Sequence, residues 1–462
     1  MSPTFGMKND KRADQLFNVC NYFAQPSRQE IHKLMFRKSI CLSALLALGM
    51  AGSAFAQNLT DAAQAQVGSS DASTGSAQAI TPQMIHSVPS ELVADDSSNG
   101  PSSIAGNPGG VANVISVPNF TRSFTFAGKT FPYTMLGNDP SLGHITTVPT
   151  KIVAVSLRLL NADGTLFDTV DATPFVVPTL NSPDFQRFKY EHDATAGIPA
   201  ESTQFSDAVQ RAEFASSMDP NWHTELAPQV VDSITITVPK FVNVRVGTQV
   251  VQSINYQSGI AGDGRRFVLM LNLFFNQQLG IIMNNEIDAG NATTDAINLP
   301  LFPNTYLFSF NRANPQQRGG CCTLGFHTYF TDGASPEHRW ITDYASYISP
   351  GIFGGGFEDV TAISHEIAET FDDPFVNNVT PRWHFPGSAA CQGNLETGDP
   401  VEVLAHATFP VPLKNAGVTT TYHPQTEALL QWFAQTVPSD ALHGAYSYPD
   451  LTALTAPATL CQ

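Results

Sequence analysis

Ser364-His365-Glu366-Ile367-Ala368-Glu369 is the stretch on which the reading of this chain turns. Val360, Ile363, Ile367 and Phe371 recur around it at helical spacing, which predicts a helix with that stripe against the core. Gly354-Gly355-Gly356 permits a tight lead-in, and Pro374 ends the helix soon after Asp372-Asp373. On such a helix His365 and Glu369 lie one turn apart and leave the same face, so both can bind one metal ion. Glu366 points to the neighbouring stripe, where a carboxylate can take a proton from a water activated by that ion.

Two ligands do not make a hydrolytic site; a third protein ligand and an open position are needed. Glu396 ranks first, because it lies 27 residues beyond Glu369 and suits a ligand returning from a second element. His327 ranks second, either as a ligand or as a catalytic group that stabilises an oxyanion. Asp399 ranks third, as an alternative ligand or an orienting partner. Asp372 and Asp373 read first as helix-end and turn residues, with Asp373 held as a further outer partner or alternative ligand. Zinc is the favoured ion, and a carboxylate-rich site also accepts manganese or calcium. The competing readings are an ordinary helix with solvated acids, a polar turn at 396–399, and a hydrogen-bonded core histidine at 327. His384, His406, His423 and His443 show no ligand spacing.

The 462 residues leave ample room for a core. Residues 1–34 read as a mis-assigned upstream start, and 35–56 as a signal peptide. Met35-Phe36-Arg37-Lys38 is its basic head, 40–52 its apolar stretch, and Ala54-Phe55-Ala56 its cleavage pattern. The apolar stretch is short for a bilayer span, so a secreted or periplasmic product without a membrane anchor is expected. The formal charge of −17 becomes about −21 without residues 1–56, leaving 16 basic against 37 acidic residues. Such a surface repels phosphate backbones, so nucleic acid is excluded as a partner. Cys321, Cys322, Cys391 and Cys461 then remain, an even number for an oxidising compartment. Cys391 is expected to join Cys321 or Cys322, with Cys461 taking the other; a vicinal Cys321–Cys322 bridge is the strained alternative.

Residues 57–110, rich in Ser, Ala, Gln, Asp and Gly, read as a disordered linker or propeptide. A β-rich part is expected over 111–255, interrupted by one helix from Ser206 to Met218. The metal-site part is expected over 256–462, with strands at 267–271, 305–310 and 340–349 and a hairpin turn at Gly262-Asp263-Gly264. The two parts can equally form one domain over 111–462. No GxSxG elbow, Walker loop or GxGxxG fingerprint is present, and no Met follows Met283, which removes the Met-turn of metzincins.

The HExxE spacing is that of HExxH zinc hydrolases with a carboxylate in place of the second imidazole. Ser364 to Pro374 resembles the SHExxExxxDP block of secreted bacterial proteins regarded as zinc-dependent peptidases. Cys391-Gln392-Gly393-Asn394-Leu395-Glu396-Thr397-Gly398-Asp399-Pro400 is similar to their CQxNLExGDP block. Gly325-Phe326-His327 with its cysteines, and the 203–212 helix, look like further elements of that family. A fainter likeness links Gly325-Phe326-His327 to plant phosphate-induced, exordium-type secreted proteins. The resemblance runs from about Pro118 to Pro449. It implies an α+β fold, with the β-rich part packed on a zincin-like part whose central helix carries the site. It also implies a secreted zinc peptidase acting on peptide or protein substrates. The plant likeness implies the alternative, a non-catalytic surface- or matrix-binding protein with a structural metal.

Overall fold

Short β-branched and aromatic runs separated by Gly, Pro and Asn become strands here, and longer amphipathic runs become the helices that cover them. The computed structural model describes residues 83–85, 92–94, 114–190, 202–353, 356–404 and 406–461. In chain order the first strands are β1 (Gln83–Ile85), β2 (Leu92–Ala94), β3 (Val114–Ile115), β4 (Asn119–Phe126), β5 (Lys129–Leu136), β6 (Ile145–Leu160) and β7 (Leu166–Val170). Helices α1 (Thr173–Leu180) and α2 (Phe205–Glu213) precede β8 (His223–Val238), β9 (Phe241–Val246), β10 (Gln249–Ile254), β11 (Tyr256–Ile260) and β12 (Arg266–Leu271). Helix α3 (Asn272–Asp288) leads into β13 (Ile297–Pro303), β14 (Thr305–Phe308), β15 (Cys321–Thr323), β16 (Gly325–Thr331) and β17 (Glu337–Tyr347). Helix α4 (Thr361–Asp372), strands β18 (Val379–His384) and β19 (Cys391–Asn394), and the short α5 (Asp399–Glu402) complete the site region.

The central sheet has the order β1-β8-β6-β13-β17-β16. Its pairings are parallel from β1 to β17, and β16 joins antiparallel as the edge strand. Strands buried on both faces carry near-continuous apolar runs, and Ile152-Val153-Ala154-Val155 in β6 is one of them. Alternate residues feed two cores. Ile152, Leu299, Leu301, Ile341 and Ala345 meet α2 and α4 on one face. Val153, Val155, Phe302 and Tyr344 meet Phe274, Phe275 and Leu279 of α3 on the other. The chain is thus α+β at the coarse level, with a sheet that runs through both expected parts: β6 pairs with β13 across the 255/256 boundary.

Several expectations need correction or relocation. The helix expected over 206–218 stops at Glu213, because Phe214 turns its ring onto Phe120 and Trp222 at 5.9 and 5.8 Å. The stretch expected to be linker supplies β1 and β2, which lie parallel against β8 and β9. The turn at Gly262-Asp263-Gly264 does join antiparallel β11 and β12. Residues 1–56, with the signal-peptide reading, and Gly354-Gly355 lie outside the described residues. Among the described residues no helix is long and apolar enough to cross a membrane.

The cysteine pairing also differs from expectation. Cys391 bonds Cys461, and Cys321 bonds Cys322. The reason is topological. Cys461 is laid beside β18 by its N–H donating to the Arg382 carbonyl (3.0 Å), and β18 pairs with the strand that carries Cys391. Cys321 and Cys322 lie instead on β15, in the separate sheet β11-β12-β14-β15.

Candidate metal centre

Helix α4 is the predicted HExxE helix, and the stripe Val360, Ile363, Ile367 and Phe371 is fully buried as expected. It is not a one-sided helix, however. All twelve residues are buried, because β16, β17 and β5 cover one side and α2 and the 395–399 segment the others. The Thr361 hydroxyl donates to the Glu358 and His423 carbonyls at its start (2.8 and 2.7 Å). At its end Asp373 accepts from the Asn377 and Asn378 N–H groups, as the turn residue expected there does.

Three segments bring the site together. β16 presents His327, two residues beyond Gly325 on the same strand face. α4 presents His365, Glu366 and Glu369. The segment after β19 brings Glu396 and Asp399, flanked by Leu395 and Val401, which are anchored in the aromatic cluster of Trp383, Trp432 and Phe433. His327 Nδ1 lies 3.2 Å from Glu369 Oε2, 3.8 Å from Glu366 Oε2 and 4.0 Å from Glu396 Oε2. His365 Nε2 lies 3.2 Å from Glu369 Oε1, and 4.0 Å from both Glu366 Oε1 and Asp399 Oδ1. The ordered candidates Glu396, His327 and Asp399 all reach the cluster. Asp399 also accepts from Gln392 Nε2 (3.0 Å).

The surroundings explain the positions. The Gly398 N–H donates to Glu369 Oε1 (3.1 Å), and Gln425 clamps the same loop by donating to the Gly398 carbonyl (2.7 Å). A Cβ on Gly398 would meet the His365 ring at 2.4 Å, and one on Gly325 would meet Glu366 at 2.5 Å. Asp343 lies directly across from His327 in the β16–β17 pair and accepts from the Thr370 hydroxyl. Glu427 is fully buried with neither oxygen hydrogen-bonded. Gly325, Gly398, Asp343 and Glu427 escaped sequence reasoning. The glycines alone left a trace, each standing one or two residues before a candidate ligand.

Electrostatically the cluster is crowded. Burial alone would depress His327 and His365, but the carboxylates around them outweigh it and hold both well above the ordinary histidine value. Burial alone would raise Glu369, yet the two imidazoles hold it well below the usual carboxylate range. Burial and then Glu369 push Glu396 well up, and burial lifts Asp343 to about 8. His327 is wholly buried, and neither ring nitrogen has a hydrogen-bond partner; Glu396 Oε1 has none either. Donors on a tetrahedral zinc with bonds of 2.0–2.1 Å stand about 3.3 Å apart, close to the 3.2 Å seen between each imidazole and Glu369. The donor set therefore fits a divalent cation.

Two other groupings occur among the described residues. His384 lies by Cys391 and Cys461, whose sulfurs are spent in the disulfide. His423, beside Glu358 and Asp359, is tied to Asp359 Oδ2 at 2.7 Å. Comparison with protein families, with curated proteins and with solved structures finds no match to the chain.

Proposed function

We propose that the chain is an exported metal-dependent hydrolase of peptide bonds, with a zincin-like arrangement of helix and strand and with zinc as its favoured ion. The observation that carries the reading is His327: a fully buried imidazole without hydrogen bonds, facing three carboxylates at 3.2 to 4.0 Å. His365, Glu369 and His327 would hold the ion and leave a position for water, with Glu396 Oε2 standing 4.0 Å from His327 Nδ1 beside them. Zinc bound there would polarise a scissile carbonyl and acidify water. Glu369 serves as an anionic ligand fixed by the Gly398 N–H. Glu366 stands beside the ligands, its carboxylate braced by β16 at Gly325. It takes the proton of the attacking water and delivers it to the leaving amine. His327, at ligand distance from Glu369, serves as a ligand in preference to an oxyanion donor.

The test is metal content by mass spectrometry together with cleavage of a peptide library. Glu366→Gln is expected to keep its metal and lose about 10²- to 10⁴-fold in turnover. Undiminished turnover would remove the general-base assignment.

Depth favours a second reading, in which the ion is a structural staple of a secreted binding protein. His327, His365, Glu366, Glu369, Glu396 and Asp399 are all at most 8% exposed. That reading expects chelation to lower the melting temperature and no peptide to be cleaved.

A further inference from the structure

The donors of the centre do not form one shell. They fall into two sets, His327–Glu369–Glu396 and His365–Glu366–Glu369, each with its ligating atoms within 4.8 Å of one another. Glu369 belongs to both, and its carboxylate divides them. Oε2 faces His327 Nδ1 and Oε1 faces His365 Nε2, each at 3.2 Å. A single ion holding both imidazoles would need all its donors in one shell with edges of about 3.3 Å. Here each imidazole meets a different oxygen.

The division continues outward. Glu396 Oε2 stands on the His327 side at 4.0 Å, and Asp399 Oδ1 stands on the His365 side at 4.0 Å. Glu366 reaches across, 3.8 Å from one imidazole and 4.0 Å from the other. Each side thus has one imidazole and one terminal carboxylate, with Glu369 shared between them.

We propose that the centre holds two divalent cations bridged by Glu369. His327, Glu396 and Glu369 Oε2 bind one; His365 and Glu369 Oε1 bind the other, with Asp399, 4.0 Å from His365 Nε2, as its terminal carboxylate in place of Glu366. This rests on the reading that the cluster is a metal site, and it extends that site to the two-ion class, in which the ions lie about 3.5–4 Å apart. Charge agrees. Glu366, Glu369, Glu396 and Asp399 are all buried, and once metal binding ionises them their four charges match two divalent ions where one would leave half uncompensated. The partnerless nitrogens of the fully buried His327 supply the second sign of a ligand at its side of Glu369. Glu366, the third member of the His365 set and 3.8 Å from His327 Nδ1, is thereby left as the proton acceptor between the two ions.

The experiment counts ions. Metal-stripped full chain is saturated with Zn(II) alone, desalted and analysed by mass spectrometry, wild type beside His327→Ala and His365→Ala. Two zinc per chain are expected in the wild type and one in each variant. One zinc in the wild type would overturn the proposal and leave the metal-site reading standing; none would overturn both. The wild type also carries a test that no variant's folding can spoil. At two equivalents of Mn(II), electron paramagnetic resonance is expected to show an exchange-coupled pair. The spectrum of isolated ions at saturation would overturn the bridge.

Discussion

Gly398→Ala isolates the contact between the ligand loop and the imidazole it presses on. Gly398 has φ −78° and ψ −38°, a conformation open to any residue, so the substitution brings no backbone strain. Its added carbon would lie 2.4, 2.5 and 2.6 Å from Nδ1, Cε1 and Cγ of His365. Ordinary contact begins near 3.5 Å, so the ring or the loop must yield by about 1 Å. If the ring yields, Nε2 leaves its 3.2 Å station by Glu369. If the loop yields, the Gly398 N–H bond to Glu369 lengthens, and Glu396 and Asp399 move with it. Overpacking of this kind costs about 1–3 kcal/mol, and disturbing groups that orient metal ligands costs about 10- to 100-fold in affinity. Competition against a chromophoric chelator is expected to show zinc binding weakened by that factor. Gly280→Ala is the control: it lies in α3 with no atom within 4 Å of the added carbon, and should gain about 0.5–1 kcal/mol with unchanged zinc affinity. Wild-type zinc affinity in Gly398→Ala would refute the argument.

Two further outcomes follow from other parts of the molecule. Burial pushes the Asp184 carboxyl up to about 8 from 3.8 and leaves its Oδ1 without a partner, so the folded chain keeps a proton that the unfolded chain releases. Its contribution is intact below about pH 4, falls by up to about 1.4 kcal/mol per unit as pH rises, and is gone above about pH 8. Urea midpoints should show Asp184→Asn losing that part of the slope, and parallel pH profiles for variant and wild type would contradict it. Cys461→Ser opens a bridge spanning 70 residues, for which loop entropy predicts a loss of about 4 kcal/mol by chemical denaturation. A loss under about 1 kcal/mol would show that the C-terminal segment is held by its packing.

The elements written locally were legible. The apolar period around the HExxE string gave α4, the unbroken apolar run 267–271 gave β12, alternation gave β17, and Gly262-Asp263-Gly264 gave its hairpin. What depended on neighbours was not. Nothing within 361–372 tells that the polar face of α4 would be covered too, since β5, β16 and α2 are set by distant sequence. His327 was a candidate by chemistry alone; it reaches the centre because β16 folds back on β17 at the sheet edge. The cysteine partners depended on Cys461 returning beside β18, a tertiary event without a local signal. The end of α2 was missed because Phe214 packs better against Phe120 and Trp222 than in a further helical turn.

The complete enclosure of α4 has a bearing on how this protein can be engineered. A helix without a solvent-facing position offers nowhere for neutral drift, and every replacement along it repacks an interior. Alanine scanning along its apolar stripe, Val360, Ile363, Ile367 and Phe371, would report loss of fold rather than loss of ligand. The informative handles lie on its partners, Gly325 and Gly398, where a single methyl group can nudge Glu366 or His365 while the helix keeps its own sequence.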